Sequence, residues 1–272
     1  MNIEHRTSNV QHPTKSPSNP QSEIRNPKWE VHRYESVDST NDLAIRMAEE
    51  GAPEGTVVIA DEQTAGKGRH GRSWSSPPGS GLYLSVILRP NLPFEQLWQM
   101  AFVASVAAAE AIAEVSSLPA QIKWPNDVLV NGRKVCGILV EAPKATRGRG
   151  DTGTRRPVII GIGINVNIER FPSELEEKAT SIAIELGHPI ALEDVEKSLL
   201  AHLEKRLADS YASVFDAWRE IDCTVGRHVV VNTADTVIEG TAVEVNQTGD
   251  LIIEHEGIRT RITAGEVILR ID

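Results

Sequence analysis

The run of residues best equipped for chemistry is Gly66-Lys67-Gly68-Arg69-His70-Gly71-Arg72, followed by Ser73-Trp74. Glycines alternate with cations and one histidine. Glycine lets the backbone reach positive φ and lets other atoms approach closely. Lysine and arginine bring positive charge to phosphate or carboxylate, and arginine does so with two parallel hydrogen bonds. The run has neither the two-residue alternation of a strand nor the period of a helix. It is expected to be a loop that stays mobile until an anion arrives. Taken alone, it reads more readily as a solvated basic turn than as a site, and its partners must decide. Other polar clusters lie along the chain: Ser39-Thr40-Asn41, Gln63 just ahead of the basic run, and Lys123-Trp124-Pro125-Asn126-Asp127. Two more are Arg133-Lys134 leading into Gly137-Ile138-Leu139-Val140-Glu141, and Gly161-Ile162-Gly163-Ile164-Asn165-Val166-Asn167.

These clusters fall at strand ends and turns. Trp29 to Tyr34 alternates as a first strand. Ser39 with Asp42 three residues on resembles a capping box, and Leu43, Ala44, Met47 and Ala48 give the helix after it an apolar face. Gly51 suits the position that ends that helix. Thr56 to Ala60 and Leu82 to Leu88 read as buried strands, with the basic run between them. Phe94 to Val115 is an alanine-rich helix able to pack close to a sheet. Gln121 to Trp124 is a strand stopped at Pro125. Val128-Leu129-Val130, Asn131-Gly132 and Lys134 to Glu141 form a hairpin, because Asn-Gly favours a type I′ turn. Val158 to Val166 is a further strand. Leu192 to Trp218 is one long amphipathic helix or a broken pair. After Asp222 the texture changes to short strands at Val229–Val231, Thr241–Val245, Leu251–Glu254 and Ile258–Thr263, which predict a small β-barrel. The expected division is a disordered leader over residues 1–28, a catalytic domain over 29–221 and a C-terminal domain over 222–272. The leader is poor in aliphatic residues and carries prolines at 13, 17, 20 and 27. It has neither the length nor the periodicity of a DNA-binding winged helix. Residues 143–157 are expected to be an exposed basic loop.

Composition narrows the function classes. With 272 residues, the chain can bury one sizeable core and a smaller one. No apolar run of about 18 residues occurs, so no membrane span is expected. A net charge of -10 speaks against nonspecific nucleic-acid binding as the main role. A basic loop stands out in so acidic a chain. Cys136 and Cys223 have neither a disulfide framework nor metal-ligand spacing, which suits a reducing cytoplasm.

In order and spacing, the clusters resemble the biotin protein ligase family, over roughly Trp29 to Asp272. The matching blocks are Ser39-Thr40-Asn41, Gln63 through Trp74, Lys123 through Asp127, Arg133 through Glu141 and Gly161 through Asn167. The resemblance implies an α/β catalytic domain, a mixed β-sheet flanked by helices as in class II synthetases, with a C-terminal SH3-like barrel. It implies that biotin attacks the α-phosphorus of ATP to give biotinyl-5′-adenylate. A lysine of a biotin carboxyl carrier protein then attacks that intermediate. Magnesium is expected with the nucleotide, and a homodimer or carrier contact through a sheet edge. Ser39, Thr40, Asn41 and Gln63 match positions on the biotin ureido side. Lys67, Gly68 and Arg69 match the segment at the biotin carboxylate and the phosphate. The family often has arginine where this chain has Lys67, and lysine loses the two-pronged contact. Arg72, Trp74, Lys123, Asn126 and Asn165 match nucleotide positions. Lys134, with Arg69, matches the catalytic cations. Asp127 is read as a turn anchor. The rival activity is a lipoate or octanoate ligase, and a biotin-responsive regulator is a third reading.

Overall fold

A computed structural model of the chain describes residues 28–143, 156–233 and 236–269. The expected leader and most of the 143–157 loop lie outside the described residues. Strand β1 (Glu30–Val37) pairs in parallel with β2 (Thr56–Gln63), and helix α1 (Thr40–Glu49) forms the crossover between them. Next to β2 comes β3 (Gly81–Leu88), then β7 (Val158–Asn165), β6 (Arg133–Glu141), β5 (Asp127–Val130) and β4 (Ala120–Lys123), each antiparallel to its neighbour. The mixed sheet is therefore the expected one. Asn131 and Gly132 turn the β5–β6 hairpin with φ of 50° and 77°, as a type I′ turn requires.

The two faces of the sheet are covered differently. On one, Ala44 and Ala48 of α1 pack against Val58, Ile87 and Ile159. On the other lies α2 (Gln99–Ser116), whose Ala104, Ala107, Ala108 and Ala111 are fully buried. Side chains this small bring the helix axis close to the strands. The stretch Phe94–Ser116 is long and apolar enough to cross a membrane, but here it lies largely inside the protein. It is also not one continuous helix: a short 3-10 turn over Phe94–Gln96 precedes α2. Helices α4 (Leu192–Ala208) and α5 (Tyr211–Glu220) back α2, with Leu199, Leu203 and Trp218 buried. The expected long helix is thus a broken pair. It breaks at Ser210, whose hydroxyl accepts a hydrogen bond from the Ser213 N–H at 3.2 Å and caps α5. A short α3 (Ile182–Leu186), absent from the sequence reading, precedes them.

The second sheet is antiparallel, in the order β11-β10-β9-β8-β12. Its strands are β8 (His228–Asn232), β9 (Val237–Val245), β10 (Leu251–His255), β11 (Ile258–Ile262) and β12 (Glu266–Leu269). This is the small SH3-like element, with one correction: β12 was not read from the sequence. It spans only four residues, too few for a visible alternation. The two sheets share one apolar core that includes Val229, Val231, Leu251 and Ile253. Trp124, fully buried, joins them through polar contacts as well. Its backbone N–H donates to Thr224 Oγ1 and its indole N–H to the Gly249 carbonyl, both at 2.8 Å.

Candidate active site

Strand register builds the floor of the site. Ala60, Tyr83, Gly163, Gly137, Asp127 and Lys123 form one row across the sheet, and Val58, Ser85, Gly161 and Leu139 form the next. Three glycines in these rows leave a hollow on the α1 face. Side chains from elsewhere occupy the space a Cβ would need. A Cβ on Gly163 would stand 2.6 Å from Trp74 Nε1, and one on Gly137 would stand 3.1 Å from both Lys134 Nζ and the Trp74 ring. A Cβ on Gly161 would collide with the Asn41 amide.

One end of the hollow presents neutral hydroxyls and amides, with the Glu141 carboxylate as one of their hydrogen-bond partners. The Thr40 N–H and hydroxyl both donate to Gln63 Oε1, at 2.9 and 3.0 Å, and Gln63 Nε2 donates to Ser76 Oγ at 2.8 Å. The Ser85 hydroxyl donates to Asn41 Oδ1 at 2.6 Å and lies 2.8 Å from Thr40 Oγ1. Asn41 Nδ2 donates to Glu141 Oε2 at 2.8 Å. Ser39 caps α1 by accepting from the Asp42 N–H at 3.4 Å. Only half of the expected capping box forms. The Asp42 carboxylate does not return to Ser39 but meets Lys67 Nζ at 2.5 Å, while the Ser39 N–H turns to Asp38 Oδ1. Aspartate is one methylene shorter than the glutamate that closes such a box.

The other end is cationic. Lys134 Nζ lies 2.6 Å from Asp127 Oδ1, and Lys123 Nζ lies 3.1 Å from Oδ2 of the same carboxylate. Burial alone would push the Asp127 carboxyl up, but the two ammonium groups outweigh it and hold the carboxyl below its ordinary value. The turn expectation for Asp127 is therefore corrected: it holds the two cations together across the sheet. Lys134 also stands 5.2 Å from the Trp74 ring centroid. Strict alternation from Gly137 would turn Lys134 to the opposite face. A bulge intervenes, because Val128 pairs with Cys136 but the next residue, Leu129, pairs with Lys134. Val135 is the extra residue; it stays buried in the core, and Lys134 joins Asp127 on the hollow side.

The basic run forms the roof. It is not featureless: Lys67 bridges to Ser73, the Gly68 N–H donates to the Arg72 carbonyl at 2.7 Å, and Arg69–Gly71 make one 3-10 turn. Arg69 points inward and donates to Asn126 Oδ1 at 2.8 Å. Burial draws its pKa down while Asp127 opposes that, and arginine keeps its charge. The Asn126 side chain also donates to the Ile138 carbonyl at 2.6 Å, which fixes the turn under the roof. Arg72 reaches the second sheet and pairs with Glu266 of β12. Tyr83, on the floor, has a hydroxyl pushed up to about 12 by burial and so serves as a neutral donor, here to the Pro77 carbonyl.

The hollow brings together Ser39, Thr40, Asn41, Gln63, Lys67, Gly68, Arg69, Arg72, Trp74, Lys123, Asn126 and Lys134. Asn165 is the exception. It lies at the end of β7, buried and outside the lining, and its Nδ2 donates to the Thr180 carbonyl at 3.0 Å. Thr180 in turn donates its N–H to the Lys134 carbonyl, and Lys134 donates its N–H to Lys178, so Asn165 steadies the segment that holds the Lys134 backbone. Glu266 and Tyr83 line the hollow without having been singled out from the sequence. Tyr83 could have been found as the one aromatic residue of β3; Glu266 opens a strand too short to notice.

Comparison with known proteins agrees with this arrangement. Residues 34–165 match the biotin/lipoate A/B protein ligase family. The bifunctional ligase/repressor BirA of Bacillus subtilis is 37% identical over 233 residues, covering 83% of this chain and 70% of that protein. The biotin--[acetyl-CoA-carboxylase] ligase of Paracoccus denitrificans is 33% identical over 240 residues, covering 85% and 96%. Among solved structures, the biotin protein ligase from Aquifex aeolicus in complex with biotin and ATP superposes with a TM-score of 0.75 at 30% identity, covering 88% of this chain and 98% of that one. A glycine-floored hollow on a mixed sheet, roofed by a basic loop, defines an acyl-activating ligase. The chain belongs to the biotin protein ligase family.

Proposed function

We propose that the biotin carboxylate attacks the α-phosphorus of ATP on this chain, breaking the α–β phosphoanhydride bond to give biotinyl-5′-adenylate and pyrophosphate, and that the biotinyl group then passes to a lysine of a biotin carboxyl carrier domain. The observation that carries this reading is the placement of Lys134: a compact cation of the charged end that lies against the glycine floor, its Nζ 3.1 Å from where a Gly137 Cβ would stand. The neutral end suits the ureido ring, since hydroxyls and amides can match a group with donors and an acceptor. The carboxylate of biotin would then point towards Lys134 and Arg69. Attack of a carboxylate on a polyanion needs its charge neutralised as it forms; Lys134, Lys123 and the buried Arg69 provide positive charge there, and Arg72 adds its charge from the exposed rim. Trp74 supplies an aromatic face for the adenine. A closed roof keeps water from the mixed anhydride. In the second step the carrier amine attacks the acyl carbon, the acyl–phosphate bond breaks, and AMP leaves.

Magnesium is expected to arrive with the triphosphate. Among the described residues no three His, Cys, Asp or Glu side chains are grouped to hold a metal. The carboxylates of Asp127 and Glu266 are already paired with cations. Phosphate oxygens and water would therefore supply most of the ligands, as is usual for this ion. Among the described residues strand β1 has a neighbour on one side only, and its outer edge would take a carrier strand or a second subunit.

Pyrophosphate exchange into ATP with biotin, lipoate and octanoate in parallel tests the reading. Exchange with biotin alone is expected. Exchange with lipoate or octanoate and not with biotin would replace it with the rival activity.

A further inference from the structure

The two ends of the basic loop are tied to different bodies. At its start, Lys67 Nζ meets Asp42 Oδ1 on α1 at 2.5 Å. At its end, Arg72 forks onto Glu266 of β12, with both guanidinium nitrogens engaged. Between them, Arg69 is fixed to Asn126. All three contacts pull the same seven residues over the hollow. Neither Asp42 nor Glu266 belongs to the acyl-transfer chemistry, and Lys67 stands where the resembling family often carries arginine. A lysine spends its one charge on one partner, and here that partner is Asp42.

We propose that Asp42 and Glu266 are positioning residues that clasp the basic loop shut from its two ends. Opening the loop requires both ion pairs to break, along with the Arg69–Asn126 bond between them, so the C-terminal sheet, through Glu266, helps set how long the adenylate is kept. The retained intermediate rests on the ligase reading above; the clasp itself does not. Both pairs are partly exposed, with side-chain exposures of 45% and 28% for Lys67 and Asp42 and of 59% and 32% for Arg72 and Glu266. Each is therefore a modest tie, expected to change loop opening by a factor of about two to five, and salt should weaken both.

The test uses the full chain and the variants Asp42→Asn, Glu266→Gln and their combination. Without ligand, brief trypsin treatment should cut after Lys67, Arg69 or Arg72 about two to five times faster in each single variant, and faster still in the double. Raising the salt from about 0.05 to 0.5 M should narrow the gap between wild type and double variant, which a merely structural defect would not do. Asp42→Glu and Glu266→Asp, which keep the charge, should return cleavage towards the wild-type rate. In the second arm, biotinyl adenylate is formed in a single turnover and its escape is followed by rapid gel filtration. Escape should quicken in each neutral variant by about the same factor as cleavage. Equal cleavage in all variants at low salt would overturn the clasp. A wild-type protein that forms no adenylate, with cleavage altered as expected, would overturn the ligase reading and leave the clasp standing.

Discussion

The two ends of the hollow solve opposite problems. Around Thr40, Asn41, Gln63 and Ser85, the side chains that face the hollow are neutral and already hydrogen-bonded, to one another and, through Asn41, to the Glu141 carboxylate. Around Lys134, Lys123, Asp127, Arg69, Arg72 and Glu266, the groups are charged, and each cation holds a protein partner that an incoming anion could replace. A network of neutral hydrogen bonds keeps its geometry and selects by shape. A set of paired charges keeps its net field but can exchange partners. The neutral end should therefore govern affinity and choice of acid, and the cationic end the rate of activation.

Substitutions on either side test that division. The largest effect is expected from Lys134→Ala, which should slow adenylate formation by about 100- to 1,000-fold, as loss of a fixed transition-state charge does. Biotin affinity measured by calorimetry should change less than about tenfold. A comparable loss of affinity would erase the distinction between the ends. Next is Gly161→Val, which drives a side chain into Asn41 and so acts on the neutral end alone. Overpacking there should cost about 1–3 kcal/mol in urea unfolding and raise the biotin KM more than it lowers kcat. Asn41→Ala takes from Glu141 its amide donor and from Ser85 one of its two partners, and should cost about 1–3 kcal/mol. Its kinetic signature should again be a KM effect.

Acid sharpens the contrast. The Asp127 carboxyl sits below its ordinary value in the folded protein, so its pairing stabilises the fold fully above about pH 4 and is lost as pH falls through the lower folded value. Asp127→Asn removes that dependence. The stability gap between wild type and variant should be widest near neutral pH and close in strong acid; a gap that widens on acidification would contradict the pairing. The smallest effect is expected for Asn165→Ala. Loss of its bond to Thr180 should cost about 1 kcal/mol and leave the ATP KM unchanged, because the side chain lies outside the hollow. A large rise in that KM would return Asn165 to the nucleotide site.

Much of this was legible in the residues. The alternation of buried strands, the Asn131-Gly132 turn and the alanines of α2 are local signals, and local sterics realise them wherever the chain goes. The clusters that carry the family resemblance were also visible, since motif residues lie close together in sequence. The basic loop was placed correctly between β2 and β3, but its folded hairpin was not foreseen, because it depends on Asn126, Asp42 and Glu266 from distant parts of the chain. The capping box at Ser39 half-failed for the same reason: Asp42 found a stronger partner in Lys67.

By its sequence alone, this protein determined its strands other than β12, its β5–β6 hairpin and the types of residue available for acyl activation. Tertiary structure decided where those residues point. Lys134 reaches the hollow only because a bulge at Val135 resets the parity of β6, and a one-residue shift of register is invisible to a pattern that repeats every two residues. Asn165 looked like a ligand contact and became a support, because the Thr180 segment packs against it. Glu266 entered the site from another sheet, through a packing of apolar faces that no local spacing encodes.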